Sequence, residues 1–406
     1  MRLAIPLSSG HGGGQAMATV VFWGTAILLL HTYFLYPLML FLLDGVRQVA
    51  RNVRFMRQGH DLRRGEGQRW PAVSLVVAAH DEAACMAGKL ANSLALDYPA
   101  DRFEVLIGSD GSTDATEQIV RRCGDPRVRL SAAPREGKAG VLNRCVPAAR
   151  GEIVVLSDAN TMIEPKAIRK LIRHFEDPEV GAVCGRLTLY NRTRREYEES
   201  AYWEYESLIK LYEGKFGSVI GVNGGLYAIR RRLFTALPPG TIVDDLVIAL
   251  RILENGYQVR YDPEAVAYEE TTEDYDGEFR RRARIAAGNF QSLRMVPGLL
   301  SPAAGFRAFA FWSHKVLRWF APALMAVAFV SNWFLLESAL YRVLLAAQLL
   351  FYGMAAAGGA RWFDGVLRRV TSAAYYFVKM NAAIAVGFWR FVRGSQAPAW
   401  ERTARA

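Results

Sequence analysis

The residues able to do chemistry in this chain are carboxylates spread over about 150 positions. They are Asp110 in Ser109-Asp110-Gly111-Ser112-Thr113-Asp114, Asp158 in Asp158-Ala159-Asn160, and the adjacent pair Asp244-Asp245. Asp110 and Asp158 each follow an apolar run with β character, 103–107 and 153–156. Carboxylates at the carboxyl ends of parallel strands converge on one crevice, where such sheets take their ligands. Spaced carboxylates in a crevice can hold a divalent cation, and the cation can hold a diphosphate.

Positioning these groups requires alternating strands and helices. Residues 73–79 read as a buried strand, 83–96 as a helix, 103–107 as a second strand, 128–130 as a short one, 139–149 as a helix and 153–157 as the next strand. That alternation predicts an α/β fold around a mostly parallel sheet with right-handed crossovers. Asp114-Ala115-Thr116-Glu117 has capping-box spacing with Asp in the capping place, so Asp114 reads as a helix cap. Further on, a strand near 181–189 precedes an aromatic and acidic helix at about 195–213. The loop Gly221-Val222-Asn223-Gly224-Gly225 leads into Leu226-Tyr227-Ala228-Ile229. Asp245 opens a helix that stops near Asn255-Gly256, and short strands at 257–261 and 265–268 come next.

Composition divides the 406 residues into unlike parts. Residues 18–43 carry no acidic or basic residue except His31 and are long enough to span a bilayer. The run is too long for a signal-peptide core and reads as an anchor. Arg47, Arg51, Arg54, Arg57, Arg63, Arg64 and Arg69 come after it, and 44–68 reads as a basic linker. By the positive-inside rule they place the next domain in the cytoplasm, at a bacterial-type inner membrane. Past residue 300, 304–316 suits an interfacial helix, while 317–336 and 339–358 are spanning candidates. Segment 371–392 contains Lys379 and Asn381 and is flanked by arginines, so it reads as interfacial or re-entrant. The resulting domains are an anchor and linker (1–68), a cytoplasmic domain (69–300) and a membrane-associated C-terminal part (301–406). The net charge of +11 gathers around the apolar segments, which points to anionic lipid and away from nucleic acid. The four cysteines lack CxxC spacing and in the cytosol are expected to be reduced.

The order of motifs from about 71 to 295 resembles the family 2 inverting glycosyltransferases, in the branch of cellulose, chitin and hyaluronan synthases. The resemblance implies a GT-A-type, Rossmann-like domain flanked by transmembrane and interfacial helices. It implies that Ala79-His80-Asp81-Glu82 lies against a nucleoside, that Asp110 accepts from a uracil N–H, and that Gly137 and Lys138 of Arg135-Glu136-Gly137-Lys138 adjoin the nucleotide. Asp158-Ala159-Asn160 stands where the family has Asp-x-Asp, so Asp158 and Asn160 are the expected ligands of Mg²⁺ or Mn²⁺. Asn has no charge, which weakens such a site without abolishing it. Asp244-Asp245 matches the acidic motif that supplies the general base, with Asp245 preferred and Asp244 second. Asn223, Gly224 and Gly225 match an acceptor-lining loop. Arg281-Arg282-Ala283-Arg284-Ile285 falls where processive members have Gln-x-x-Arg-Trp. Arg284 is then a diphosphate ligand and Ile285 replaces the tryptophan under the acceptor sugar. The partners implied are a nucleotide-sugar donor, a UDP-sugar by expectation, a glycan or lipid-linked acceptor, and the bilayer; an oligomer or secretion partner stays open.

Other classes are weighed against this. A membrane protein that retains the nucleotide-binding domain as a non-catalytic scaffold is the alternative, and Asp110, Asp158, Asp245 and Arg284 speak against it. A stand-alone transporter needs ionisable groups or broken helices within its spans, and the apolar segments have few of the former and no evident broken-helix pair. Tyr197, Tyr202, Trp203 and Tyr205 either pack in the core or stack on sugars, with core packing favoured.

Overall fold

A computed structural model describes residues 11–58, 70–191, 196–197, 201–270 and 275–396. In chain order the helices are α1 (His11–Leu30), α2 (Tyr36–Gln58), α3 (Ala83–Leu94), α4 (Thr116–Arg122), α5 (Gly137–Ala148), α6 (Ala167–Ile172), α7 (Ala201–Lys215), α8 (Asp244–Glu254), α9 (Tyr275–Leu293), α10 (Phe306–Phe311), α11 (Leu317–Trp319), α12 (Ala321–Trp333), α13 (Ala339–Ala360) and α14 (Gly365–Arg393). The strands are β1 (Val73–Ala79), β2 (Phe103–Asp110), β3 (Val128–Ala133), β4 (Ile153–Asp158), β5 (Thr161–Ile163), β6 (Val180–Asn191), β7 (Glu196–Tyr197), β8 (Tyr227–Arg230) and β9 (Gln258–Glu270). Packing separates two compact units. One comprises Leu38–Asp274 with Gly288–Trp312 and Gln396–Ala406, the other Met1–Pro37, Tyr275–Ala287 and Ser313–Ser395.

The first unit holds the sheet, whose order is β3-β2-β1-β4-β8-β6-β9-β5, with β7 on β6. β3, β2, β1 and β4 are parallel to one another, as the alternation of strands and helices requires. The register sets Ala79 beside Ser109 and Ala78 beside Asp158, so the ends of β1, β2 and β4 lie level. β8 then enters antiparallel to β4 and to β6, and β9 runs parallel to β6. GT-A-like architecture is therefore present, with a parallel first half and a mixed second half. One face of the sheet is covered by an apolar core that includes Leu75, Val105, Val155, Met86, Leu90 and Ile168. On β2, a side chain at Gly108 would stand 2.3 Å from Val141 Cγ1 of α5, so the missing side chain lets that helix lie close on the sheet.

Three sequence readings are corrected here. The expected strands 257–261 and 265–268 are one strand, β9. Residues 263–265 bulge out between the pairs Gly185–Asp262 and Arg186–Val266, and that bulge accommodates Pro263, which lacks an N–H. The expected linker is helical as far as Gln58. Within this unit its start is fastened by Lys215 Nζ on Asp44 Oδ2 at 2.5 Å and by Arg47 over the Phe216 ring at 4.7 Å. The helix expected at 195–213 begins later, at Ala201, after the short strand β7.

The second unit is helical. Gly13–Ala50 and Ala339–Ala360 are long and apolar enough to cross a membrane, and Val20, Phe34, Val343 and Leu350 are exposed on them. The chain is thus membrane-associated with more than one span. The expected span 317–336 takes another form. The helical stretches Phe306–Trp319 and Ala321–Trp333 meet at 66°, with Pro322 at the start of the second. Segment 371–392 lies in one unbroken helix, α14. α13 and α14 pair closely: a Cβ on Gly358 would stand 2.1 Å from Thr371 O.

Candidate active site

Four sheet-end segments and the starts of two helices build the site in the first unit. Asp158 ends β4 and stays half-exposed. Lys138, in the first turn of α5, places Nζ 2.8 Å from Asp158 Oδ1 and 3.5 Å from Asp244 Oδ2. Asp244 and Asp245 open α8, where the helix dipole favours negative charge. Asp245 Oδ1 accepts from Leu246 N at 2.8 Å. A Cβ on Gly224 would stand 3.1 Å from Asp245 Oδ2 and 3.7 Å from Asp158 Oδ2, so this glycine lets the backbone lie directly against two carboxylates.

The electrostatics stem from burial. Burial raises the Asp245 carboxyl, with the Asp244 charge adding to it, to about 6. Asp244 is also raised, first by burial and against the pull of Lys138. Burial alone would lower the Lys138 ammonium, yet Asp158, Asp244 and Asp245 together hold it above the ordinary lysine value. The cluster is three carboxylates around one ammonium, with a carboxylate surplus that a cation or proton can answer. Asp244 Oδ2, Tyr227 Oη and Thr161 Oγ1 are buried without a hydrogen-bond partner among the described residues.

The Asp110 side has a different construction. Asp110 is 0% exposed, and its Oδ1 accepts from Glu136 N at 2.6 Å and Gly137 N at 3.0 Å. It holds the start of α5, where Gly137 takes φ +80°. The carboxylate expected to meet a base edge thus anchors the helix that carries Lys138. His80 Nδ1 stands 2.8 Å from Asp110 O, and Arg135 Nη1 donates to His80 Nε2 at 2.6 Å, so the ring carries its proton on Nδ1. Asp81 takes φ +53° and accepts from Thr113 N at 2.7 Å, tying the end of β1 to the loop after β2. Ala79 is buried at the end of β1. Glu82 precedes α3, and its N–H donates to Thr116 Oγ1 at 2.8 Å. Asp114 accepts from Thr116 N at 2.9 Å and from Ala83 N at 3.0 Å, the capping role read from the sequence. Glu117 bonds Ser109 and Arg121, and it does not return the bond of a capping box.

The remaining expected site residues are more dispersed. Asn160 donates its amide N–H to Glu269 Oε1 at 3.1 Å. The Asn223 side chain fastens its own loop, donating to Gly185 O at 3.0 Å and accepting from Lys210, while Gly225 packs against Leu187 and Thr161. Arg284 and Ile285 lie half-buried on the part of α9 that belongs to the membrane-associated unit. The side chains of Tyr197, Tyr202 and Trp203 lie outside the described residues; Tyr205 is half-buried.

The sequence reading missed several supports. Gln291 on the last turns of α9 accepts from Ile242 N at 3.2 Å and donates to Gly240 O at 3.1 Å, holding the loop that delivers Asp244. Lys89 of α3 is fully buried, and burial pushes its ammonium down to about 7 while Asp158 opposes the shift. Only a helical-face count on 83–96 would have marked Lys89 as inward-facing.

The model of the glycosyltransferase like family 2 matches residues 71–288, over half of the sequence, and the chain belongs to that family. A probable glycosyltransferase, YdaM of Bacillus subtilis, is 26% identical over 232 residues, 54% of this chain and 55% of the relative. The β-monoglucosyldiacylglycerol synthase of Synechocystis sp. is 31% identical over 236 residues, 55% of this chain and 48% of the relative. The chain spans about half the length of the curated relatives it matches. The mannosyltransferase PcManGT from Pyrobaculum calidifontis, solved with GDP-Man and Mn²⁺, superposes with a TM-score of 0.62. That match covers 94% of this chain and 99% of the other at 22% identity, which establishes the shared fold.

Proposed function

We propose that this protein is a membrane-anchored inverting glycosyltransferase that moves a sugar from a nucleotide sugar, a UDP-sugar by expectation, to a glycan or lipid-linked acceptor. The observation that carries the reading is the cluster of Asp158, Asp244 and Asp245 around Lys138, with Gly224 against two of the carboxylates. That cluster supports assigning the diphosphate and the general base to neighbouring groups. Asp245 is assigned as general base. Its carboxylate takes the acceptor hydroxyl proton while that oxygen attacks the anomeric carbon and the bond to the diphosphate breaks, inverting the centre. A carboxyl raised to about 6 is ionised at neutral pH and more basic than a solvated one, which suits the task. Asp244 raises the basicity of Asp245 by its charge.

Among the described residues no group of three or more His, Cys, Asp or Glu is arranged to hold a metal ion by itself. Asp158, half-exposed and acidic, is the residue that would hold Mg²⁺ or Mn²⁺ in a sparse site completed by substrate phosphates, with Asn160, whose amide N–H is held by Glu269, as the expected second ligand. Bound there, a divalent cation supplies charge neutralisation for the leaving diphosphate. Lys138 adds a point charge on the same side. Asp110 acts by setting α5, and with it Gly137 and Lys138; Ala79, His80 and Glu82 form the turn beside the nucleoside. Gly224 and Gly225 are assigned to the acceptor side, with the Asn223 side chain fixing their loop.

The arginines after residue 43 favour a cytoplasmic catalytic domain. A cellulose-, chitin- or hyaluronan-synthase-like branch is consistent with a 24%-identical poly-β-1,6-N-acetyl-D-glucosamine synthase of Staphylococcus aureus among the relatives. The glucosyldiacylglycerol synthase supports a lipid acceptor instead. Ile285 lacks the flat aromatic face that holds a pyranose while a chain advances, which favours one or a few transfers per encounter. The test is UDP release by the purified chain over a panel of UDP-sugars with Mn²⁺, then product sizing. No nucleotide release with any donor sinks the assignment in favour of a scaffold. Long polymer appearing early, with short intermediates absent, overturns the short-product reading.

A further inference from the structure

Lys89 has no route to solvent: it sits on α3 under the sheet and is 0% exposed. A buried ammonium is destabilising unless its donors are satisfied. Its Nζ donates to Ser157 Oγ at 2.8 Å and to Thr161 O at 2.5 Å. Those two residues immediately flank the segment Asp158-Ala159-Asn160. One side chain therefore joins both ends of the turn that presents the half-exposed Asp158 carboxylate. An ammonium has three donors on a flexible stem and can serve both acceptors at once, which an apolar side chain cannot. One helical turn later on α3, Asn92 bonds both backbone groups of Ile163, at 2.8 Å to its N–H and 2.9 Å to its carbonyl, and so fastens β5 itself. The two contacts divide the labour: Asn92 holds the strand and Lys89 holds the turn.

We propose that Lys89 is a positioning residue for the diphosphate- and cation-binding turn, closing Asp158-Ala159-Asn160 from the core side through Ser157 and Thr161. The proposal rests on the functional reading above. Residues that orient a ligand without touching the metal change metal affinity by about 10–100-fold when removed. The test is calorimetry of UDP binding to the purified full chain, with and without MnCl₂, for wild type, Lys89→Met, Ser157→Ala and Asn92→Ala. Met keeps the stem and removes the donors. Lys89→Met is expected to lower Mn²⁺-supported UDP affinity by about tenfold or more, with metal-free UDP affinity unchanged. Ser157→Ala, which leaves the Thr161 bond, is expected to shift the same quantity in the same direction by a smaller factor. Asn92→Ala is expected to lower the melting temperature and leave the Mn²⁺ effect as in wild type. If Lys89→Met lowers only the melting temperature, the lysine is structural and the inference falls. If that variant does not fold, an unchanged Mn²⁺ effect in Ser157→Ala overturns it. Wild type without any Mn²⁺-dependent UDP affinity overturns the functional reading, and the inference with it.

Discussion

Two strand ends in this molecule start from the same dipeptide and finish with opposite roles. Ser109-Asp110 closes β2 and Ser157-Asp158 closes β4, on either side of β1 and nearly level with each other. Asp110 is fully buried, with backbone N–H groups of Glu136 and Gly137 on its carboxylate. Asp158 is half-exposed and ion-paired to Lys138. The residues immediately after each aspartate make the difference. After Asp110 the chain turns through Gly111 at φ +63°, where a Cβ would stand 2.8 Å from Arg135 N, so the start of α5 docks directly on the carboxylate. After Asp158 the chain turns through Ala159 and Asn160 into β5, and the carboxylate stays half-exposed, met by the Lys138 side chain and not by backbone N–H groups of a helix start. A carboxylate that meets a helix start becomes scaffold, and one left at the rim remains available to a ligand.

That contrast can be broken by substitution. The largest effect belongs to the third carboxylate position: Asp245→Asn should cut turnover by about a hundredfold or more while nucleotide affinity holds, as steady-state kinetics beside calorimetry would show. A dead Asp244→Asn with an active Asp245→Asn exchanges their roles. Asp158→Ala should lower Mn²⁺-supported UDP affinity by about tenfold or more and barely move thermal stability. Asp110→Ala should do the reverse, removing about 1–3 kcal/mol of stability in denaturant unfolding and affecting binding less. Equal profiles for these two variants would erase the distinction between scaffold and rim. The acid limb of the pH profile has a defined sign. Asp245 must be ionised to accept a proton and its carboxyl is raised to about 6, so kcat/KM should fall as pH drops through that region. Its loss from the profile of a residually active Asp245→Asn assigns it. The smallest change expected is from Gly224→Ala, whose methyl would stand 3.1 Å from Asp245 Oδ2. It should raise the KM of the acceptor by a few-fold, about 1 kcal/mol at this crowding.

The parallel half was readable from the sequence because local signals and tertiary structure agree there. The apolar runs at 73–79 and 103–107 and the helix before Asp97-Tyr98-Pro99 fall where β1, β2 and α3 lie. The second half was less legible. β9 looks broken at Asp262-Pro263-Glu264, and only pairing with β6 shows that these residues bulge from one strand. The stretch after Leu43 looks like a linker because arginines recur in it, yet the same spacing continues a helix. In the site, residue type and order marked Asp158, Asp244, Asp245 and Lys138, which the fold brings together. The bonding direction of Asp110, Asn160 and Asn223 was not legible, because it depends on which distant backbone or side chain arrives first. Lys89 and Gln291 were missed for the same reason: each acts on a segment more than forty residues away in sequence.

The pairing of α13 with α14 has a consequence for biogenesis. With only a hydrogen at Gly358 between one helix and the Thr371 carbonyl of the next, the two main chains touch. A bulky allele at this position, such as Gly358→Val, would act during insertion, before any substrate is met. The hairpin would fail to close, and the newly made chain would be cleared by membrane quality control. The defect would register as missing protein on a blot, with normal transcript, and no increase in donor concentration would restore product.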